Sequence, residues 1–577
     1  MNAPPREPAA IAPVDEGPSF TIGGNVDLPP AWPAHLPAAV QVPLRPISEN
    51  LSRTAARLPD KPAIHYYGAT LSYGALAGRV EALAGWMQRV AGVAKGDRVL
   101  LYMQNSPQFV TAYYAILRAD AVVVPVNPMN RTAELAHLAR DTGARLIVLG
   151  QELLDHAAPL LGEAVGHGLV CAYADAAGAD RDDLPAPLNR GALADYGLTH
   201  VTRWDDALGA GHAPGPQVAG PDDLAVIPYS SGTTGLPKGC MHSHRTVMVT
   251  MAGGLAWNPI RSGAPSLVSL PLFHVTGMQN SMNGPILAGE TMVIMTRWDR
   301  RLACRLIRQH KVARWRSITT MAIDLVSDPE LDPQDLASLE MIGGGGAAMP
   351  SAVARRLREL TGLDYIEGYG MSETIAATHI NPVTAPRLQC LGLAVFGVDA
   401  RIMDPETGAI LPHDTPGEII IHAPQVMLGY WNNPAATEAA FVTIDGRRFL
   451  RTGDIGMRDA EGYFHMTDRL KRMINVSGYK VWPSEVEAMM HEHPDLTEVC
   501  VVGRPDPRRG EAVIAYAVAR AGVAGTSEKG ADVMAWCRDR MAAYKCPAEV
   551  RFLAALPRSS TGKVQWRELQ EQGGAAL

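Results

Sequence analysis

The stretch Tyr229–His244, YSSGTTGLPKGCMHSH, gathers residues that handle anions. Its glycines, Gly232 and Gly235 among them, let successive backbone N–H groups turn toward one point. Ser230, Ser231, Thr233 and Thr234 add hydroxyl donors and Lys238 adds a positive charge, so the string reads as a phosphate cradle. It is not the loop of ordinary kinases and GTPases, in which Gly directly precedes the Lys: here Pro237 stands before Lys238 and Gly239 follows it. A second glycine run, MIGGGGAAM with Gly343 to Gly346, would let the backbone come close to a ligand.

Such loops need rigid elements behind them. From Asp97 the chain reads strand, helix, strand: Asn105 or Ser106 is a suitable N-cap, Pro107 suits the first helical turn, and the apolar run Val122–Val126 reads as a buried strand. The unit then repeats, with a helix in TAELAHLARDTGA stopped at Gly143 and a short strand over Arg145–Leu149. Alternation of this kind predicts an α/β fold with helix-covered, mainly parallel sheets. Asp175–Gly220, rich in Ala, Gly, Asp and Pro, reads as a surface excursion before a strand at Leu224–Ile227. Beyond Leu470 the pattern becomes a short α+β one, with EVCVVG and AVIAYAVAR as strands and DVMAWCRDRMAAY as a helix. The expected domains are an N-terminal arm over 1–45, a large domain over 46–470 and a small domain over 471–577.

A chain of 577 residues exceeds what one hydrophobic core usually supports. Its 47% hydrophobic and 19% charged content is that of a soluble globular protein. The net charge of -7, with both signs interspersed, argues against nucleic acid as the main partner. The 7 cysteines are scattered singly, which fits no zinc or disulfide framework and points to a reducing cytoplasm. The first residues lack the charged start and apolar run of a secretory signal, and no stretch of ~18 apolar residues offers a transmembrane segment. The Pro- and Ala-rich start up to Val42 reads as a mobile or surface-wrapped arm.

Six segments in order resemble the adenylate-forming superfamily, which includes acyl-CoA ligases, peptide-synthetase adenylation domains and beetle luciferases. Tyr229–His244 is similar to its phosphate loop, PLFHVTG (Pro271–Gly277) to its acyl-pocket segment and EGYGMSET (Glu367–Thr374) to its adenine and magnesium segment. RTGD (Arg451–Asp454) resembles the ribose segment, DRLKRMINVSGYKVWPSEVE the hinge segment and PRSSTGKVQW the terminal-lysine segment. The resemblance implies ATP, Mg2+ and coenzyme A as reactants and cofactor, and a small mobile C-terminal domain that pivots at Lys471. It further implies an acyl pocket bordered by His274, Gly343, Gly344 and Gly370, and a pantetheine tunnel bordered by Ser477, Gly478 and Tyr479.

The residues suit the chemistry that such a family performs. A carboxylate oxygen must attack the α-phosphorus of ATP and pyrophosphate must leave, so the protein must neutralise and align two anions. Glu373 is suited to hold Mg2+ beside the phosphates and Thr374 to bond a phosphate. Tyr369 can stack on the purine, with Gly345 near it. Asp454 offers two acceptors to the ribose hydroxyls, and Arg469 adds a ribose or phosphate contact. Lys563 is a long cationic arm able to reach the carboxylate and the α-phosphate. His274 is read as a pocket-lining group, not a general base, because an acid with a pKa around 4 to 5 is already ionised near pH 7.

The chain ends at Leu577, soon after Lys563, with no carrier module in between, which favours free coenzyme A as the thiol; a separate carrier protein stays open. The glycine run together with TIAATHINP (Thr374–Pro382) resembles fatty acyl ligases, because an open floor admits a chain, so a medium- or long-chain fatty acid is expected. Aryl and branched acids are the alternative, and a nucleotide-binding regulator without catalysis is the reading from another class. The partners expected are a small-molecule carboxylic acid and coenzyme A, with a homodimer compatible.

Overall fold

The structure is a computed structural model that describes residues 17–24, 28–230, 237–258, 263–469, 472–477, 479–558 and 564–574. It divides into two compact units. One comprises the chain up to Asp399 with His422–Leu450, the other Ala400–Ile421 with the chain from Arg451 onward.

The first unit is built on two large sheets. One has seven strands, in the spatial order His242–Ser243, Leu224–Val226, Val122–Val126, Arg98–Tyr102, Leu146–Gly150, His167–Cys171 and Val201–Arg203. All of its neighbours are parallel except the His242–Ser243 edge. The helices between these strands begin and end as their residues dictate. The Ser106 hydroxyl accepts the N–H of Phe109, Pro107 opens the helix Pro107–Arg118, and Gly143 closes Thr132–Thr142 in the left-handed conformation, which lacks a Cβ penalty only for glycine. Pro107–Leu117 is buried along its whole length.

The second sheet has nine strands, in the order Leu393–Ala394, Ala376–Ile380, Tyr365–Met371, Met341–Gly345, Arg314–Ser317, Ser266–Val268, Met292–Ile294, Pro62–Tyr66 and Ala69–Ser72. Its middle is parallel, and its two ends are antiparallel hairpins. The α/β expectation holds. The segment Asp175–Gly220 is less irregular than its composition implies, since Val201–Arg203 supplies the edge strand of the first sheet and Trp204–Gly209 a helix with Trp204 buried. Short elements of this kind are decided by the sheet edge and the apolar surface they meet, not by local periodicity.

The described part of the N-terminal arm is wrapped on the surface. Ser19–Gly23 and Ala39–Pro43 form an antiparallel pair, and Trp32 meets Trp257 and Phe396 edge-on, with ring centres 5.1 Å and 5.5 Å apart.

The second unit carries a five-stranded sheet of Tyr479–Val481, Ile474–Val476, Gly510–Ala519, Leu496–Asp506 and Glu549–Phe552. The helices Pro483–Met490 and Ser527–Arg538 bury Val486, Met490 and Val533 against Val499, Val501, Val513 and Ala515. The cysteines are all free, and among the described residues no helix is long and apolar enough to cross a membrane.

Candidate active site

The phosphate-loop string emerges as a hairpin stem. Tyr229–Ser230 pairs antiparallel with Lys238–Gly239, Ser230 opposite Lys238. Gly239 is required there, because a Cβ on it would stand 2.6 Å from Ile227 Cγ2. Ser231, Gly232, Thr233, Thr234 and Gly235, the tip of the cradle, lie outside the described residues.

Lys238 and Glu373 meet at a residue the sequence did not single out. Lys238 Nζ lies 4.9 Å from the centre of the Tyr430 ring, and the Tyr430 hydroxyl donates to Glu373 Oε1 at 2.9 Å. Burial, with the Glu373 carboxylate second, pushes the Tyr430 phenol well above its usual range, so it stays a donor. Glu373 is held further by its carbonyl, which accepts the N–H of Met427 at 2.8 Å. Its Oε2 has no hydrogen bond among the described residues. Tyr430 lies far from both motifs in sequence, and its only signal was a tyrosine in the apolar string MLGYW.

The turn that carries Glu373 is strained. A Cβ at Gly370 would stand 1.8 Å from the Ala376 carbonyl oxygen, so only glycine fits, and Ile375 and Ala376 hold φ of 46° and 111°. The Thr374 hydroxyl is spent inside this turn: it donates to the Ala376 carbonyl at 2.8 Å, accepts the Met371 N–H at 3.0 Å and is fully buried. The phosphate contact expected of Thr374 is thereby corrected, since its one donor is engaged on the Ala376 carbonyl and the fully buried hydroxyl has none left for a phosphate. The neighbouring Ser372 is partly exposed and keeps its hydroxyl clear of bonds among the described residues.

Beneath this turn His242 Nε2 meets the Ser372 carbonyl at 2.8 Å, and its Nδ1 meets the Thr246 hydroxyl at 3.3 Å. A ring bridging a carbonyl and a hydroxyl in a fully buried site is kept neutral, and burial draws its pKa from 6.5 down to about 4. The unfolded chain therefore binds a proton from about pH 6.5, while the folded chain does so only near pH 4. Stability present above pH 6.5 should fall across that window, by roughly 3 kcal/mol from this group. Urea unfolding at pH 7, 5.5 and 4.5 should show a shallower pH slope for His242→Gln than for the wild type; equal slopes would remove His242 as the cause.

Tyr369 lies opposite His379 across the hairpin, with rings 5.7 Å apart and tilted by 54°, and is partly exposed. Glu367, which begins the same motif, is buried and staples two loops: its oxygens accept the N–H of Met349 at 2.6 Å and of Cys390 at 3.1 Å. Burial raises its pKa, and the backbone donors oppose that. His274 caps the short helix Val275–Gly277, its Nδ1 accepting the Thr276 N–H at 3.3 Å, and is partly buried in the acyl-pocket segment.

The glycine strand requires a second correction. A Cβ at Gly343 would meet the Ile366 carbonyl oxygen at 2.6 Å, at Gly344 the Ser317 carbonyl oxygen at 1.9 Å, and at Gly345 the Gly368 carbonyl oxygen at 2.3 Å. The room that these glycines leave is taken by neighbouring atoms, first the backbone carbonyls and, beside Gly343, the Arg316 guanidinium with Nη1 at 3.2 Å, so close packing accounts for them. An open floor for a chain does not follow.

In the second unit Asp454 is buried on the strand Arg447–Arg458 and stands in register with Arg469, whose side chain lies outside the described part. Within that strand the RTGD segment is fastened by Glu418, which takes Arg451 Nη2 at 2.7 Å and the Gly453 N–H at 3.0 Å, with Gly453 at a φ of 69°. Lys471, Gly478 and Lys563 lie outside the described residues. On either side of position 471 the chain is fastened: Asp468 accepts the Ser484 N–H at 2.7 Å and lies 3.6 Å from Arg472, which also pairs with Glu487. Ser477 takes a left-handed φ of 53° in the hairpin between Ile474–Val476 and Tyr479–Val481. Tyr479 is exposed and stacks on Tyr544 at 4.7 Å.

The profile of the AMP-binding enzyme family matches residues 51–431, and that of the AMP-binding enzyme C-terminal domain matches 485–563. A long-chain-fatty-acid–CoA ligase of Bacillus subtilis is 33% identical over 560 residues, 94% of this chain and 97% of that protein. A feruloyl-CoA synthase of Amycolatopsis is 31% identical over 526 residues, 90% and 98% of the two chains. The ATP-bound MatB from Rhodopseudomonas palustris superposes with a TM-score of 0.79 at 28% identity, over 91% of this chain and 98% of that one. With these motifs on this fold, the chain belongs to the AMP-binding enzyme family. Its reaction class is that of an AMP-forming acyl-CoA synthetase, with ATP and coenzyme A as substrates beside a carboxylic acid.

Proposed function

We propose that the chain activates a medium- or long-chain fatty acid, forming the acyl-adenylate and then the coenzyme A thioester. The observation that carries the assignment of the reacting end is the assembly of Lys238, Tyr430 and Glu373, which sets a cation and a carboxylate on two sides of one phenol at the mouth of the phosphate-loop stem. In the first step the acid's carboxylate oxygen bonds to the α-phosphorus and pyrophosphate leaves. Ser230, Lys238 and the loop Ser231–Gly235 hold the leaving phosphates, and Ser372 takes the phosphate contact that Thr374 cannot make. Tyr369 stacks on adenine, and Asp454 with Arg469 holds the ribose. Lys563 balances charge on the carboxylate and α-phosphate.

Glu373 would hold Mg2+, which when bound neutralises the phosphates. The fit is good because Oε2 is a hard oxygen without a hydrogen bond among the described residues, and Mg2+ is ordinarily held by one or two carboxylates together with phosphates. Among the described residues no cluster of three or more His, Cys, Asp or Glu competes for it. In the second step the thiol sulfur bonds to the acyl carbon, AMP leaves and the thiol proton passes to solvent. For this step the small domain, 471–577, pivots at Lys471 and presents Ser477, Gly478 and Tyr479 to the pantetheine arm. His274 lines the acyl pocket together with the segment around Gly343, Gly344 and Gly370.

The fatty acid rests on the relatives named for long-chain fatty acids at 31 to 33% identity. The feruloyl-CoA synthase at 31% supports an aryl acid as the second reading. Coenzyme A-dependent AMP release, measured with unbranched acids from butyrate to stearate and with benzoate and cinnamate types, decides between them. A maximum among the unbranched acids is expected; a maximum on ferulate or cinnamate would replace the fatty acid by an aryl one.

A further inference from the structure

The strand Arg314–Ser317 runs parallel to the glycine strand, with Arg316 opposite Gly343 and Ser317 opposite Gly344. Residues two apart share a sheet face, so Arg314 and Arg316 point the same way. The fold treats them differently. Arg314 Nη2 lies 3.2 Å from Glu290 Oε1, and the other oxygen of Glu290 accepts the Ser266 hydroxyl at 2.6 Å. That carboxylate is fully committed.

Arg316 is only 9% exposed, yet among the described residues no carboxylate lies within ion-pair distance of it and no hydrogen bond reaches its side chain. Its Nε is sealed without a partner. Its Nη1 lies 3.2 Å from the point where a Cβ on Gly343 would stand, so the glycine admits a guanidinium head to this face. Burial, with Arg314 second, lowers its pKa to about 9, which leaves it cationic at neutral pH. A buried guanidinium with no ion-pair partner is costly, and the more distant Glu290 carboxylate only partly offsets that cost; buried charges are ordinarily paired. An enzyme that admits a carboxylic acid can supply the partner with its substrate.

We propose that Arg316 is a specificity-determining residue: the acid carries, besides its reacting carboxylate, a second oxygen function that docks on the Arg316 guanidinium beside Gly343. A second carboxylate fits best, because it accepts two parallel N–H bonds from the guanidinium. The inference deepens the fatty acid reading and rests on its placement of the acyl pocket along the glycine strand. Arg316 stands level with Gly343, two residues before Gly345 at the strand's carboxyl end, which is ~7 Å at ~3.3 Å per residue. The second oxygen function therefore lies several bonds from the reacting carboxylate.

Matched pairs of acids test this: hexanoate against adipate, and octanoate against suberate, assayed for coenzyme A-dependent AMP release by the full-length wild type, Arg316→Met and Arg316→Lys. The wild type should favour the dicarboxylate of at least one pair by about tenfold or more in kcat/KM. Arg316→Met should reverse that ratio through the KM of the acid with the KM of ATP unchanged, and Arg316→Lys should retain part of it. Arg316→Met should melt no lower than the wild type, since an unpaired buried charge is replaced by an apolar side chain of similar length. A wild type that prefers the monocarboxylate of both pairs overturns the proposal even if the variants do not fold, as does an Arg316→Met enzyme that keeps the wild-type ratio. AMP release from no acid at all would overturn the ligase reading and the subsite with it, whereas release with equal ratios overturns the subsite alone.

Discussion

Glu373→Gln should slow acid-dependent exchange of pyrophosphate into ATP by on the order of 10²–10³-fold, the usual loss when a group that stabilises transition-state charge is removed. The substitution isolates charge from shape. A glutamine carbonyl still accepts the Tyr430 hydroxyl, and the backbone carbonyl at 373 still receives the Met427 N–H, so the strained turn keeps its anchors. The melting temperature should therefore stay close to that of the wild type. Raising Mg2+ should recover part of the activity, because a weaker ligand can be offset by concentration. Full exchange at ordinary Mg2+ would show that Glu373 is not the metal's ligand.

Lys563→Ala should divide the two half-reactions. The lysine is proposed to act only as charge builds between carboxylate and α-phosphate, so adenylate formation should fall by on the order of 10²-fold or more, while a pre-made acyl-adenylate is still converted to thioester at nearly the wild-type rate. Pyrophosphate exchange measures the first and single-turnover thioester formation the second. Equal losses in both would mean that Lys563 holds the nucleotide in a way common to both steps, or supports the fold.

Signals that were local in the chain were legible from residues alone. Ser106 followed by Pro107, Gly143 after a helical repeat, and the apolar run Val122–Val126 each act within a few positions, and each element formed where expected. What escaped depends on contacts between distant segments. Thr374 and Ser372 are both hydroxyls beside Glu373, and only the strained path through Ile375 and Ala376 buries one and leaves the other partly exposed. Tyr430 carries no motif of its own and matters because a strand far away brings Lys238 to its face. The glycines at 343–345 read as room for a ligand, yet a sequence does not reveal that the carbonyls of Ser317, Ile366 and Gly368 take that room. Arg316 is one of many arginines in the sequence, and only the fold shows that, among the described residues, Glu290 is committed to Arg314 and no carboxylate lies within ion-pair distance of Arg316.

The fastening of Asp468 bears on timing. If the chain swivels at Lys471, Asp468 stays with the strand Phe464–Arg469 while Arg472 and Ser484 move away, so the bonds joining them exist in one orientation only. A hydrogen bond to a charged group is worth about 1.5–3 kcal/mol, which biases a two-state balance roughly tenfold to a hundredfold. Under the proposed pivot the carboxylate would work as a detent: the swing would wait until a bound adenylate or an arriving thiol favoured the other orientation by at least that margin.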